Sequence, residues 1–118
     1  MSNATMEFVP EEIIPKLAKL KPYVLLILKK GENYGMSDTP RIIQSEHLPY
    51  VFKQREDGMM SLTMPIMDNS TEFTAIAIYN TTDKEKVREL VVKDPAVMAG
   101  IFDYEIVSSV GLCGDTLP

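Results

Sequence analysis

Two segments of the chain are apolar at almost every position, yet each has only the length of a β-strand. They are residues 23–28 and residues 73–79. Successive side chains of a strand point to opposite faces of its sheet, so a strand that is apolar at consecutive positions must be covered on both faces. The two segments are therefore predicted to be the central strands of a sheet.

Two further segments alternate in the way that edge strands do. Residues 59–67 include Pro65, which has no N–H to donate to a neighbouring strand and therefore favours an edge. Residues 102–107 alternate aromatic or aliphatic side chains with acidic ones. In the first of these segments the following residues are predicted to share one face: Met60, Leu62, Met64 and Ile66.

Apolar residues at helical spacing predict a short N-terminal helix over residues 10–20 and a longer helix before the second strand. Asp38 or Thr39 can cap the longer helix, and Asp57-Gly58 ends it. Pro49 lies inside this helix and cannot donate to the carbonyl of Ser45, so we expect a kink there. The inner face of this helix is predicted to carry Ile43, His47, Tyr50, Val51 and Gln54.

A second main helix is predicted between the third and fourth strands. Thr82-x-x-Glu85 has the spacing of a capping box, and the apolar positions continue as far as Lys93. Asp94-Pro95 then opens a second short helical turn, in which Asp caps the N-terminus, Pro occupies the first helical position and Gly100 ends the turn.

The elements follow the order β-α-β-β-α-β, which predicts an α+β, ferredoxin-like fold. This is a four-stranded antiparallel sheet with two helices on one face, and right-handed crossovers put the first and third strands in its centre. We expect a single domain over residues 1–118, with residues 1–21 as an N-terminal extension and residues 22–110 as the core. Two helices leave the other sheet face open, so a homodimer joined through that face is predicted.

The composition excludes several classes of partner. With 12 basic and 17 acidic residues the net charge is −5, so a nucleic acid is not expected as a partner. No apolar stretch approaches the roughly 20 residues that cross a bilayer, and residues 1–5 lack the pattern of a secretory signal. Cys113 is the one cysteine, which favours a reducing, cytoplasmic location. No residue pattern indicates a metal site or a cofactor site, so neither is expected.

Residues 94–100, DPAVMAG, followed by YEI at 104–106, resemble the C-terminal signature of the YciI-like (YCII-related) proteins. His47, in a helix that ends in Asp57-Gly58 before a strand running into Pro65, is also similar to that family. The resemblance covers roughly residues 23–106 and implies a dimeric α+β barrel. It further implies that His47 and Asp94 form a catalytic pair, as in relatives with lyase or dehalogenating activity.

Each of these two residues also has a plain structural role open to it. The imidazole of His47 could exchange a proton near neutral pH at one ring nitrogen, while the carboxylate of Asp94 accepts a hydrogen bond from the other ring nitrogen. Alternatively, His47 is a partly buried helix residue bonded to a backbone carbonyl, and Asp94 is a helix cap. The two roles of Asp94 are compatible, because a carboxylate has two oxygens.

Two other residues are candidate substrate contacts. Met64 stands where the family usually has Gly before Pro65, so it could form a bulkier pocket wall. Arg41 could attract an acidic substrate, or it could be solvated surface charge.

Two functions remain open at this stage. The first is a cofactor-independent lyase or isomerase that uses His47 and Asp94 on a small organic acid or enol. The second is a non-catalytic dimeric module that binds a small ligand or a protein.

Overall fold

The computed structural model describes residues 6–118, so the expectation for the first five residues lies outside the described part. The sheet contains β1 (Leu20–Lys30), β2 (Met60–Pro65), β3 (Phe73–Tyr79) and β4 (Phe102–Leu112). Their order in the sheet is β2-β3-β1-β4, and every neighbouring pair is antiparallel. The ferredoxin-like fold is thereby confirmed, with β1 and β3 in the centre.

The helices that follow β1 cover one face of this sheet, whereas the short α1 (Ile14–Leu17) precedes β1 and buries no residue. The covering helices are α2 (Thr39–Ile42), a π-helix (Ile43–His47), α3 (Leu48–Glu56), α4 (Lys84–Val91) and α5 (Pro95–Met98). Alternate residues of β1 enter the core beneath the helices, where they are buried with side chains of α3 and α4. This buried set includes Val24, Leu26, Leu28, Val51, Val87 and Val91.

The opposite face of the sheet is apolar and only half buried. Leu25 pairs with Ile78 and with Val107, and Ile27 pairs with Ile76, so these side chains share that face. We call it the open face. The described residues do not cover it fully, and the homodimer through it stays a prediction.

The N-terminal helix is much shorter than the periodicity predicts, and β1 starts earlier. Leu20 already pairs with Leu112, because β4 continues well past residue 107 and provides a partner for the first residues of β1. Pro22 lies in this extension, opposite Val110. The strand on the other side, β3, ends opposite Val24, so Pro22 has a neighbour on one side only, which proline tolerates.

The predicted alternation of β2 is wrong at one point. The register shifts between Met60 and Leu62, so Met60 pairs with Tyr79 whereas Leu62 pairs with Ile78. Consecutive residues of β3 point to opposite faces, and therefore Leu62 and Met64 lie on the open face while Met60 enters the core. A bulge of this kind leaves no mark in a simple alternating pattern.

Two helix caps differ from the sequence prediction and one agrees. Asp83, not Thr82, caps α4, accepting hydrogen bonds from the backbone N–H groups of Glu85 and Lys86. The side chain of Asp38 makes no cap bond at α2. Asp94 caps α5 as predicted, accepting from the backbone N–H of Ala96 at 2.9 Å.

Candidate functional site

The irregularity expected at Pro49 takes the form of a π-helical turn that ends at His47. The N–H of Leu48 donates to the carbonyl of Ile43, five residues back, instead of four. Pro49 has no N–H for the carbonyl of Ser45, and the wider turn accommodates that missing bond. His47 is buried at the end of this turn.

Asp94 reaches the same place from the other half of the fold. Its backbone is extended, with φ −65° and ψ 125°, as expected for a residue just before a helix. One carboxylate oxygen, Oδ1, accepts the cap hydrogen bond from Ala96, and the other, Oδ2, lies 2.7 Å from Nδ1 of His47. Both side chains are buried, so water screens this contact little.

The hydrogen bond to Asp94 assigns a role to each nitrogen of the His47 ring. An ionised carboxylate can only accept, so Nδ1 carries the hydrogen and the lone pair of the neutral ring is on Nε2. Among residues 6–118, Nε2 has no hydrogen-bond partner. Nε2 also keeps some solvent-accessible surface, because Thr74 Oγ1 is the one fully buried polar side-chain atom of these residues that lacks a partner. Nε2 is therefore reachable by solvent or by a small molecule.

Phe102 holds the imidazole from a third side. The two ring centroids are 5.1 Å apart and the planes meet at 70°, an edge-to-face contact. Since Asp94 and Phe102 both restrain the ring, His47 has little freedom to turn its Nε2 away from its present direction.

His47 and Asp94 line a broad, open hollow of about 1260 Å³. Its walls also include residues of the open face, such as Leu25 and Ile78, so it is an extended depression and not a closed chamber. On the helix side its walls are largely aromatic and aliphatic, with Leu28, Tyr34, Val51 and Phe102.

Two tyrosines place neutral hydroxyl groups in the same lining. The hydroxyl of Tyr79 donates to Oε1 of Gln54 at 2.6 Å, and burial raises the pKa of Tyr79 well above its usual value. Tyr50 donates to the carbonyl of Leu90 at 2.7 Å. Burial first, and the negative charge of Asp94 second, raise the pKa of Tyr50. Sequence reasoning did not identify Tyr79, although a polar Gln54 on an inner helix face was a usable signal.

A close backbone contact fixes the turn that follows α5. The N–H of Gly31 donates to the carbonyl of Ile101 at 2.7 Å, and the N–H of Asn33 donates to the carbonyl of Gly100 at 2.8 Å. The side chain of Asn33 donates to the carbonyl of Ala99 at 2.9 Å. This contact anchors the C-terminal end of the short helix whose N-terminus carries Asp94.

The structure does not bring the other two candidate residues to the pair. Arg41 is exposed and forms ion pairs with Asp38 at 3.3 Å and Glu46 at 3.0 Å, so two carboxylates already occupy its guanidinium. Met64 pairs with Ile76 and lies on the open face, away from the helix side that carries His47. Neither side chain lines the hollow.

Within the described stretch, no three His, Cys, Asp or Glu side chains come together as a metal site would require. Over the same residues, no helix has the length and apolar character needed to cross a membrane.

The sheet order and the one-sided helices define a ferredoxin-like α+β fold of the kind found in the dimeric α+β barrel superfamily. A solved structure in that superfamily is similar to this chain: the 5-chloro-2-hydroxyhydroquinone dehydrochlorinase of Burkholderia phenoliruptrix AC1100, in complex with 2,5-dihydroxybenzoquinone. The TM-score is 0.50 at 20% identity, over 73% of this chain and 90% of the other. At this identity the similarity shows the fold.

No protein-family model and no curated protein matches the sequence. The YciI-like proteins share the dimeric α+β barrel superfamily, and membership of that particular family stays a prediction from the motifs.

Proposed function

We propose that the protein is a small-molecule enzyme of the lyase or isomerase type, in which His47 is the general acid/base and Asp94 orients it. The observation that carries this proposal is the 2.7 Å contact between His47 Nδ1 and Asp94 Oδ2, with Nε2 left without a partner at a large hollow. The carboxylate accepts the hydrogen of Nδ1, so Nε2 is the nitrogen that can take a proton.

The proposed reaction is proton abstraction from a small enolic or halogenated organic acid. Nε2 of His47 takes a proton from a carbon of the substrate, and the electron pair of that C–H bond forms a new double bond. In an elimination the carbon that loses the proton lies beside the carbon that carries the leaving group, and both are saturated; a chlorinated phenol meets this condition in its diketo tautomer. Chloride then departs with the electrons of the C–Cl bond, and the proton is released to solvent. In an isomerisation His47 returns the proton to another carbon, so neither route requires an oxidant or a reductant.

The similar dehydrochlorinase supports the choice of chemistry, since its name describes an elimination on a chlorinated ring within the same fold. We therefore extend to this chain, as a proposal, a substrate of that general kind.

The test is a screen of halogenated and enolic acids, starting with 5-chloro-2-hydroxyhydroquinone under anaerobic conditions. Chloride release reports elimination, and wash-in of solvent deuterium at carbon reports proton abstraction without elimination. His47→Gln should abolish both signals, while Ser45→Ala, a change at an exposed position on the same helical turn, should leave them intact. Equal rates in wild type and His47→Gln would refute the proposal.

A second candidate function is a dimeric ligand-binding module without catalysis. The breadth of the hollow and its largely apolar walls favour it, because binding alone needs no base. Tight binding of a ring compound, with no chloride release or deuterium wash-in for any compound in the screen, would select this alternative.

We further infer that the protein is a homodimer joined through the open face and that it works in the cytoplasm. The half-buried apolar side chains of that face support the first inference, and the free, exposed Cys113 supports the second.

A further inference from the structure

Two consecutive lysines at the end of β1 point to opposite faces of the sheet. Lys29 lies on the open face, where its Nζ is 3.4 Å from a carboxylate oxygen of Glu105. Lys30 pairs with Phe102 in the β1–β4 register and so shares the helix face with it. Side chains paired in this way have Cβ atoms about 5 Å apart, and Phe102 is the residue whose ring contacts His47.

The ammonium group of Lys30 has neutral partners. Its Nζ donates to the backbone carbonyl of Asn69 at 2.8 Å and lies 5.4 Å from the centroid of the Tyr34 ring. Among residues 6–118, no carboxylate lies within ion-pair distance of Lys30. Asp68 lines the same hollow but does not pair with it. Lys30 thus presents an uncompensated positive charge to the hollow that His47 lines.

Besides Lys30 and His47, one other basic side chain of the described residues lines the hollow. Arg55 is eight residues beyond His47 in the sequence, which corresponds to about 12 Å along a helix axis. Its guanidinium is exposed and lies 5.9 Å from the Phe52 ring. Lys30 is therefore the cation that is better placed to act together with His47.

The rings between Lys30 and His47 provide a flat apolar wall. The centroids of Tyr34 and Phe102 are 6.3 Å apart and their planes are inclined by 40°. A planar ring can lie against such a wall, and its charged oxygen can then replace the neutral carbonyl of Asn69 at Nζ. An ionised acceptor makes a shorter and stronger hydrogen bond with an ammonium than a carbonyl does.

We propose that Lys30 anchors an anionic oxygen of a flat ring substrate, an ionised cyclic enol or phenol, and so presents a ring carbon to His47. This inference rests on the proposed function of the hollow and specifies its substrate class. It also predicts that an uncharged ring of the same shape gains nothing from Lys30.

The test measures binding by calorimetry with two probes built on the same planar ring, anionic 2,5-dihydroxybenzoquinone and uncharged 2,5-dimethoxybenzoquinone. Cys113→Ser is the background, because the exposed thiol can add to a quinone. Lys30→Met should weaken binding of the anion by at least about tenfold and leave binding of the neutral probe unchanged. Lys30→Arg, which keeps the charge, should retain most of the affinity, and Lys29→Met is the matched control on the open face.

Three results would overturn the inference. The first is that the anionic probe does not bind the Cys113→Ser protein at millimolar concentration. The second is that Lys30→Met weakens the binding of both probes equally. The third is that Lys29→Met weakens the binding of the anionic probe as much as Lys30→Met does. Equal weakening of binding for both probes would mean that Lys30 only stabilises the loop that contains Asn69, through its hydrogen bond to that carbonyl. Failure of the proposed catalysis is distinguishable, because Lys30-dependent binding without turnover leaves this inference standing and selects the ligand-binding module.

Discussion

His47 Nδ1 lies 2.7 Å from Asp94 Oδ2, while Oδ1 of the same carboxylate accepts the N–H of Ala96 at 2.9 Å. The cap bond fixes the direction of the carboxylate, and the carboxylate fixes the direction and the tautomer of the imidazole. A local helix cap, built from residues adjacent in sequence, therefore orients a side chain 47 positions away.

Asp94→Asn tests this arrangement. The amide oxygen can keep the cap bond to Ala96, which turns the amide NH₂ toward His47 and forces Nδ1 to accept. Nε2 then carries the hydrogen and cannot act as a base, so we expect the variant to fold, to lose about 1–3 kcal/mol of stability, and to lose any activity found. The chain has one histidine, so two-bond ¹H–¹⁵N spectra report its tautomer without ambiguity.

In those spectra the neutral ring should carry its hydrogen on Nδ1 in the wild type and on Nε2 in Asp94→Asn. The wild type showing the Nε2–H form, or the variant retaining full activity, would remove Asp94 from the mechanism.

Gly31→Ala should destabilise the fold and disturb the turn after α5. A Cβ at position 31 would clash with the carbonyl oxygen of Gly100, which is a backbone atom and cannot move aside alone. Overpacking of this kind costs about 1–3 kcal/mol, measurable by urea unfolding. Gly35→Ala is the matched control, since a Cβ there meets no atom within 4 Å. Similar losses in the two variants would contradict the role assigned to this contact.

Tyr79 should make the free energy of unfolding depend on pH in the alkaline range. Its folded-state pKa is raised above the ordinary value of 10.0, mainly by burial. Below pH 10 both the folded and the unfolded chain hold the proton, so this group adds no pH dependence. Above pH 10 the unfolded chain releases the proton and the folded chain does not, so the free energy of unfolding falls as the pH rises.

Tyr79→Phe should remove that part of the alkaline slope. At neutral pH it should also cost about 1–3 kcal/mol, because Oε1 of the buried Gln54 loses its donor. Chemical unfolding at pH 7 and at a series of values above 10 measures both effects. An alkaline slope identical in the two proteins would contradict the assignment.

Val107→Glu should weaken the proposed homodimer. Val107 pairs with Leu25 on the open face and is 39% exposed in the protomer, so a charge there would be buried only on association. Sedimentation equilibrium at micromolar concentration should give twice the chain mass of 13.3 kDa for the wild type and a lower average mass for this variant. Val92→Glu places the same charge at an exposed position just after α4 and should leave the dimer intact. A monomeric wild type would contradict the proposal.

The sequence determined those features that neighbouring residues control. The two segments that are apolar on both faces identified the central strands β1 and β3, and the order of elements then fixed the topology. The Asp94-Pro95 pattern correctly predicted a capped helical turn, because the cap bond joins residues two positions apart. Pro49 correctly marked an irregular turn at His47, because a missing N–H is a property of the residue itself.

The tertiary structure decided whatever depends on partners far along the chain. The continuation of β1 back to Leu20 required the extended β4 opposite it, and the bulge after Met60 required the register with β3. Lys29 and Lys30 are chemically identical neighbours in the sequence, and only the pleat of the sheet places Lys29 beside Glu105 and Lys30 beside the hollow. The 2.7 Å approach of His47 and Asp94 likewise depends on two crossovers and on the turn after α5, where Gly31 donates to Ile101 and Asn33 donates to Gly100. Local patterns encode the conformation of a segment, but the distance between two segments is set by the packing of everything between them.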